Sequence, residues 1–254
     1  VSRYSPDTIY NTILQARRFL DMVGTKETYT AQDITGFVDR LMANGASSSS
    51  VPTILTAVRS LFRAIGHPWP LEKLHLPVED RGVPMLSRGD VKALIARARR
   101  VGQPELGVTA LSTVFGLRAI ELARVLDAGL AGDELVVTTA KGGRQRRHMI
   151  PEVVAPALTF QADPKSRDTL NRMFQRLMVG GVRKPRPREG WHAIRRSLVT
   201  GLADAGVAGQ FIETFMGWRT FSGRTIASYY RPDRHLVDEA IWKAHPFLEL
   251  WSKK

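Results

Sequence analysis

The sequence predicts a mainly helical fold with one small β-sheet, an α+β protein built in two parts. Apolar residues recur at three- and four-residue spacing along most of the chain, the period of a helix with one buried stripe. A clear β signal is confined to Leu135-Val136-Val137-Thr138-Thr139 and His148-Met149-Ile150. Between Gly66 and Leu86 the helical pattern breaks at Pro68, Pro70, Pro77 and Pro84, and a fresh helix start follows at Ser87. These observations place a helical domain at residues 1–66, a linker at 67–86 and a second domain at 87–254.

The first helix carries the stripe Ile9, Ile13, Ala16, Phe19, Leu20 and ends near Gly24. Thr30-Ala31-Gln32-Asp33 reads as a capping-box start for a second helix with Ile34, Phe37, Val38 and Leu41. The serine run Ser47–Ser50 leads into a third, with Ile54, Leu55, Val58, Leu61 and Phe62. Helix N-termini with free N–H groups and hydroxyls make good phosphate contacts, so Ser49, Ser50 and Thr53 are candidate phosphate contacts, with Arg59 on the same helix expected to be exposed. In the second domain Ser87 caps a helix with Val91, Leu94, Ile95 and Ala98 on one face. Val108 to Val125 is apolar nearly all round and is expected as one core helix. Within it Arg118 and Glu121 lie three apart on one face. A buried arginine needs a paired acceptor or a bound anion. On local grounds alone a structural bridge to Glu121 outweighs a functional role.

Gly142-Gly143 between the two β runs is a hairpin turn signal. It puts Lys141 beside the turn with Arg144, Arg146 and Arg147 around it. A further helix at Asp168–Met178 precedes V-R-K-P-R-P-R-E-G, whose Arg183, Lys184 and Arg186 suit an extended arm on phosphates. Then comes G-W-H-A-I-R-R-S, a helix that sets His192 and Arg195 on one side of its first turn. A short helix ends at Gly217 before Trp218, Arg219 and Arg224 follow, and then the pair Tyr229-Tyr230. A last helix with Leu236, Val237, Ala240, Ile241 and Ala244 closes at Pro246.

The formal charge of +13 over 254 residues predicts a polyanionic partner, nucleic acid ahead of any other. Cysteine is absent, which removes disulfides and thiolate chemistry and fits an intracellular protein. No secretory signal and no membrane-spanning run is expected. None of the six histidines has zinc-ligand spacing, no acidic cluster suggests two metals, and no Walker loop or nucleophile elbow is present, so no metal or cofactor is expected. A phosphodiester can still be attacked when guanidinium forks hold its oxygens and a phenol supplies the nucleophile. Arg118, Lys141, His192, Arg195, Trp218 and a tyrosine provide those parts.

The order of these residues resembles the tyrosine recombinases, the family of phage integrases and Xer proteins. T-V-F-G-L-R-A-I-E-L resembles the family's first-arginine box, T-T-A-K-G-G-R-Q-R its hairpin-lysine box, and W-H-A-I-R-R-S its H-x-x-R box. M-G-W-R matches a position that is His in most members and Trp in some. The resemblance implies a SAM-like helical core-binding domain followed by a DNA breaking-rejoining catalytic domain. It implies Arg118 and Arg195 as phosphate clamps, with Glu121 supporting the first. Lys141 would be the general acid, His192 a proton-handling partner and Trp218 a hydrogen-bond donor. Tyr229 would be the nucleophile, with Tyr230 the alternative; the gap from Trp218 is longer than is usual in the family. It also implies cleavage through a 3′-phosphotyrosyl intermediate, a tetramer on two double-stranded DNA sites with C-terminal segments exchanged between neighbours, and a cytoplasmic, nucleoid-associated protein. A type IB topoisomerase or a non-catalytic basic DNA-binding protein are the alternatives.

Overall fold

The structure is a computed structural model and describes residues 6–76, 82–128, 130–138, 145–158, 166–218 and 233–252. The chain divides into two compact units, Val1–Gly82 and Val83–Lys254. In the first, α1 (Pro6–Val23), α2 (Ala31–Ala43) and α3 (Val51–Ala64) converge on a cluster of rings. Phe19 meets Tyr29, Phe37 and Phe62 at centroid distances of 5.5, 5.1 and 5.8 Å, within the range of favourable aromatic pairs. Thr30 and Asp33 form the reciprocal capping box that starts α2. Trp69, Leu71, Leu74 and Leu76, in the proline-rich segment, lie half-buried against this same core.

The second unit is built around α5 (Glu105–Phe115), in which every residue from Gly107 to Phe115 is buried. Helices α4 (Arg88–Val101) and α8 (Trp191–Asp204) pack on it, and α7 (Arg167–Gly181) packs on α4. A second capping box, Ser87 with Asp90, starts α4. The single helix expected from Val108 to Val125 is two. Gly116 takes a left-handed conformation, φ 60°, that ends α5, and α6 (Ala119–Ala128) begins after Arg118. Continuous apolarity concealed the break, because α5 is buried all round and the apolar run carries on into α6.

Three antiparallel strands follow, β1 (Leu130–Ala131), β2 (Glu134–Thr138) and β3 (Gln145–Met149), in the order β1-β2-β3. In the β2–β3 register Leu135 faces His148 and Val137 faces Arg146. All four are buried, so the inner face of β3 carries two polar side chains. The strands sit one to three residues from the expected positions, and the hairpin tip with Lys141, Gly142, Gly143 and Arg144 lies outside the described residues.

Helix α9 (Gly209–Met216) precedes α10 (Arg234–Ala244), which packs on α9 and β3 of its own chain. Val237 and Ile241 are buried there. Asp238 accepts from the Met149 N–H at 2.9 Å and bonds His148 Nδ1 at 3.1 Å. Of the apolar stripe of α10, Val237 and Ile241 are thus covered within the chain, while Leu236 stays exposed. The chain then turns at Pro246 and buries Phe247 and Trp251; the Trp251 indole donates to Thr113 at 3.2 Å. Among the described residues, no helix is long and apolar enough to cross a membrane.

Candidate phosphodiester-binding site

The site is organised by one buried carboxylate. Glu121 is the third residue of α6 and reaches back to accept from the Arg118 backbone N–H at 2.9 Å, half of a capping box. Its other oxygen holds the Arg118 guanidinium at 2.6 Å. Its Oε2 lies 3.4 Å from Arg146 and 3.9 Å from Arg195. Two arginines that stand 77 positions apart in sequence, Arg118 and Arg195, therefore meet on one acceptor. Burial pushes the Glu121 carboxyl up, but the Arg118 N–H and the surrounding guanidiniums outweigh it and hold the group below its ordinary range.

Arg195 is only 1% exposed. Its Nη1 donates to the Gly116 carbonyl at 2.6 Å and its Nη2 to the Met216 carbonyl at 3.0 Å. These are the C-terminal ends of α5 and α9, where carbonyls are left over and the helix dipole is negative. Gly116 and Gly217, both left-handed, turn the chain away and leave those carbonyls facing the guanidinium. Burial, with Arg146 and Arg118 nearby, depresses Arg195 to about 9, which leaves it charged at neutral pH. Its guanidinium carbon lies 5.6 Å from the centroid of the Trp218 ring, and Trp218 is 40% exposed.

His192 begins α8 three residues before Arg195, with its ring on the exposed side. Partial desolvation lowers it first, and Arg196, Arg195 and Arg118 lower it further. It is therefore a neutral imidazole at physiological pH, able to accept a proton. Arg118 itself keeps 31% of its side chain exposed. Three guanidiniums face one carboxylate, an excess of two positive charges, so the site is made to take an anion.

Some expected contacts fall elsewhere. Arg146, expected on a DNA-facing hairpin, is 6% exposed and donates to the Phe215 carbonyl, because strand parity turns it inward opposite Val137. Arg183 spends its fork on Glu189, at 2.8 Å through both nitrogens, and on Asp90 at 3.1 Å. That brace, with Glu189 also accepting from the Arg186 N–H, holds the arm that leads into His192. Lys184, Arg186, Ser49, Thr53 and Arg59 are exposed. Ser50 is half-buried and donates to the Ser47 carbonyl. Arg59 stacks 4.8 Å over Trp69. Lys141, Arg144, Arg219, Arg224, Tyr229 and Tyr230 lie outside the described residues. Sequence reading ended α9 correctly at Gly217 but missed the turn at Gly116 and the inward Arg146. Glycines closing buried helices, and the parity of Val137 against Arg146, were the signals that pointed to them.

No protein-family model matches the chain. Among curated proteins it is 27% identical to tyrosine recombinase XerA of Thermococcus kodakarensis, over 86% of this chain and 83% of that one. It is 25% identical to tyrosine recombinase XerA of Pyrococcus furiosus, over 92% of this chain and 88% of that one. The chain is thus similar to tyrosine recombinases over most of its length. Two solved tyrosine recombinase structures share its fold. The Tn1549 transposon integrase in complex with transposon right end DNA superposes with a TM-score of 0.65 at 15% identity, covering 95% of this chain and 94% of that one. The lambda integrase tetramer bound to a Holliday junction gives 0.64 at 18% identity, covering 92% and 74%. Among the described residues, no group of three or more His, Asp or Glu side chains is placed to hold a metal ion.

Proposed function

We propose that this protein is a tyrosine recombinase, a site-specific enzyme that breaks and rejoins double-stranded DNA through a 3′-phosphotyrosyl intermediate. The observation that carries the reading is the convergence of Arg118 and Arg195 on Glu121, beside the neutral His192 and the exposed Trp218. Archaeal relatives that bear the name tyrosine recombinase over most of their length support it.

In this scheme Arg118 and Arg195 hold the non-bridging oxygens of the scissile phosphate, and Trp218 adds its indole N–H. Tyr229, with Tyr230 as alternative, attacks phosphorus; its proton passes to His192, whose neutral ring can receive it. The bond from phosphorus to the 5′ oxygen breaks, and Lys141 gives that oxygen a proton. A 5′-OH from a partner strand reverses the steps. The phosphotyrosyl bond conserves the phosphodiester energy, so the cycle consumes no nucleotide cofactor. Each clamp guanidinium is worth about 3–4 kcal/mol of transition-state stabilisation in such a site.

Residues 1–66 act as a SAM-like core-binding domain and 67–86 as a linker, with residues 87–254 as the catalytic domain. Ser49, Thr53, Arg59, Lys184 and Arg186 lie along the duplex, with Arg144, Arg219 and Arg224. Four subunits assemble on two DNA sites in the cytoplasm, at the nucleoid, and α10, packed on its own chain in the single subunit, passes to a neighbour in the assembled tetramer. Incubation with a nicked suicide duplex, followed by a denaturing gel, tests the chemistry. A protein adduct on the 3′ phosphate with a free 5′-OH is expected, lost in Tyr229→Phe and retained in Tyr230→Phe. A wild-type protein that binds the duplex and yields no adduct overturns the reading.

A further inference from the structure

Arg146 has no part in the scheme above, yet it is placed at high cost. It stands on β3 opposite Val137, on a face shared with Leu135, and is almost wholly buried. Its Nη1 donates to the Phe215 carbonyl and its Nη2 reaches Glu121, while its Nε is buried without a partner. A buried ion pair is commonly replaceable as a whole by apolar side chains without loss of stability, and Glu121 already has Arg118 as a partner. Folding alone therefore gives little reason for a guanidinium here.

The distances suggest what it does. Oε1 of Glu121 is committed to Arg118 at 2.6 Å, and Oε2, which the Arg118 N–H holds at 2.9 Å, stands 3.4 Å from Arg146 but 3.9 Å from Arg195. We infer that Arg146 is a positioning residue of the phosphate clamp: it draws Oε2 of Glu121 to itself and keeps that carboxylate from closing onto Arg195. Arg195 then meets the DNA phosphate with its charge uncommitted. Without Arg146, Glu121 turns to the next cation, and Arg195 is neutralised inside the protein. The excess of two positive charges that Arg146 completes also suits the dianionic character that develops at phosphorus during attack. The inference rests on the recombinase reading and deepens it at the same site.

Arg146→Met and Arg146→Lys are compared with the wild type and with Arg172→Met, an exposed arginine on α7. Melting temperature, DNA affinity and the single-turnover rate of adduct formation are measured for each. Arg146→Met is expected to stay folded, at a lowered melting temperature, and to keep its DNA affinity while adduct formation slows about 100-fold. Arg146→Lys recovers part of the rate, and Arg172→Met retains all of it. Adding Glu121→Gln to Arg146→Met costs no further rate, since the carboxylate that captures Arg195 is gone. An Arg146→Met protein that is folded and cleaves at the wild-type rate overturns the inference, as do strictly additive losses in the double variant. Should Arg146→Met fail to fold, the Arg146→Lys rate decides, and a wild-type rate there overturns the inference. If the wild type forms no adduct, the recombinase reading alone fails. Inorganic phosphate must then still raise the melting temperature of the wild type more than that of Arg146→Met, and equal shifts overturn the inference.

Discussion

His192 illustrates how a single side chain is set for its task by its neighbours. Partial burial disfavours its charged form, and Arg196, four residues and one turn further along α8, is the largest of the nearby charges acting in the same direction. An ordinary histidine is half protonated near about 6.5. Here the neutral, proton-accepting form persists to lower pH, so adduct formation should hold its rate down to a pH below that value. Arg196→Gln removes one depressing charge and is expected to move the acid limb of the pH–rate profile upward. An unchanged limb in that variant would mean that Arg196 does not act on the ring. His192, Arg195 and Arg118 were readable from the linear chain because short motifs carry them. Arg146 was misread there, because a basic hairpin is usually a solvated surface and only the pairing of β3 with β2 shows which residues turn inward.

The elements that hold the arginines in place were less legible than the arginines themselves. Periodicity found the helices, and the capping boxes at Thr30 and Ser87 formed as read. Periodicity did not find the turn at Gly116, since a helix apolar on every side carries no phase by which an interruption can be seen. That turn matters more than its length suggests. A Cβ at Gly116 would stand 3.1 Å from Leu198 and 3.1 Å from Met216, in a backbone conformation that L residues avoid. Gly116→Ala is expected to cost about 1–2 kcal/mol of stability from the left-handed backbone alone. It should also slow adduct formation more than it weakens DNA binding, because the carbonyl that receives Arg195 is displaced. Denaturant unfolding and the single-turnover assay separate the two effects. The last helix gives the complementary lesson: its stripe was plain, but a stripe cannot say whose surface covers it. The Asp238 contacts with β3 answer that for this subunit.

At the scale of the whole molecule, the second unit is closed by its own C-terminal segment, and His245 is the residue that seals it. Its Nε2–H donates to the Val114 carbonyl at 2.9 Å and its Nδ1 accepts from the Phe247 N–H at 3.1 Å, which fixes the neutral ring in one tautomer. Burial pulls it down to about 4. Above about pH 6.5 the ring is neutral whether the chain is folded or not. As the pH falls from there toward 4, the unfolded chain takes up a proton that the folded chain refuses, so stability is lost on acidification. Melting temperature should fall between pH 6.5 and 5, and His245→Gln, whose amide can make both bonds without titrating, should fall less. The two-part organisation and the basic character were visible in composition and proline placement. The seal was not, because nothing local in the sequence ties position 245 to position 114. The two carbonyls that seat Arg195 have a similar long reach, coming from helices about a hundred residues apart. A nascent or half-unravelled chain lacks one or both of those rests. Seating of Arg195 therefore requires that both helices, distant in sequence, have docked.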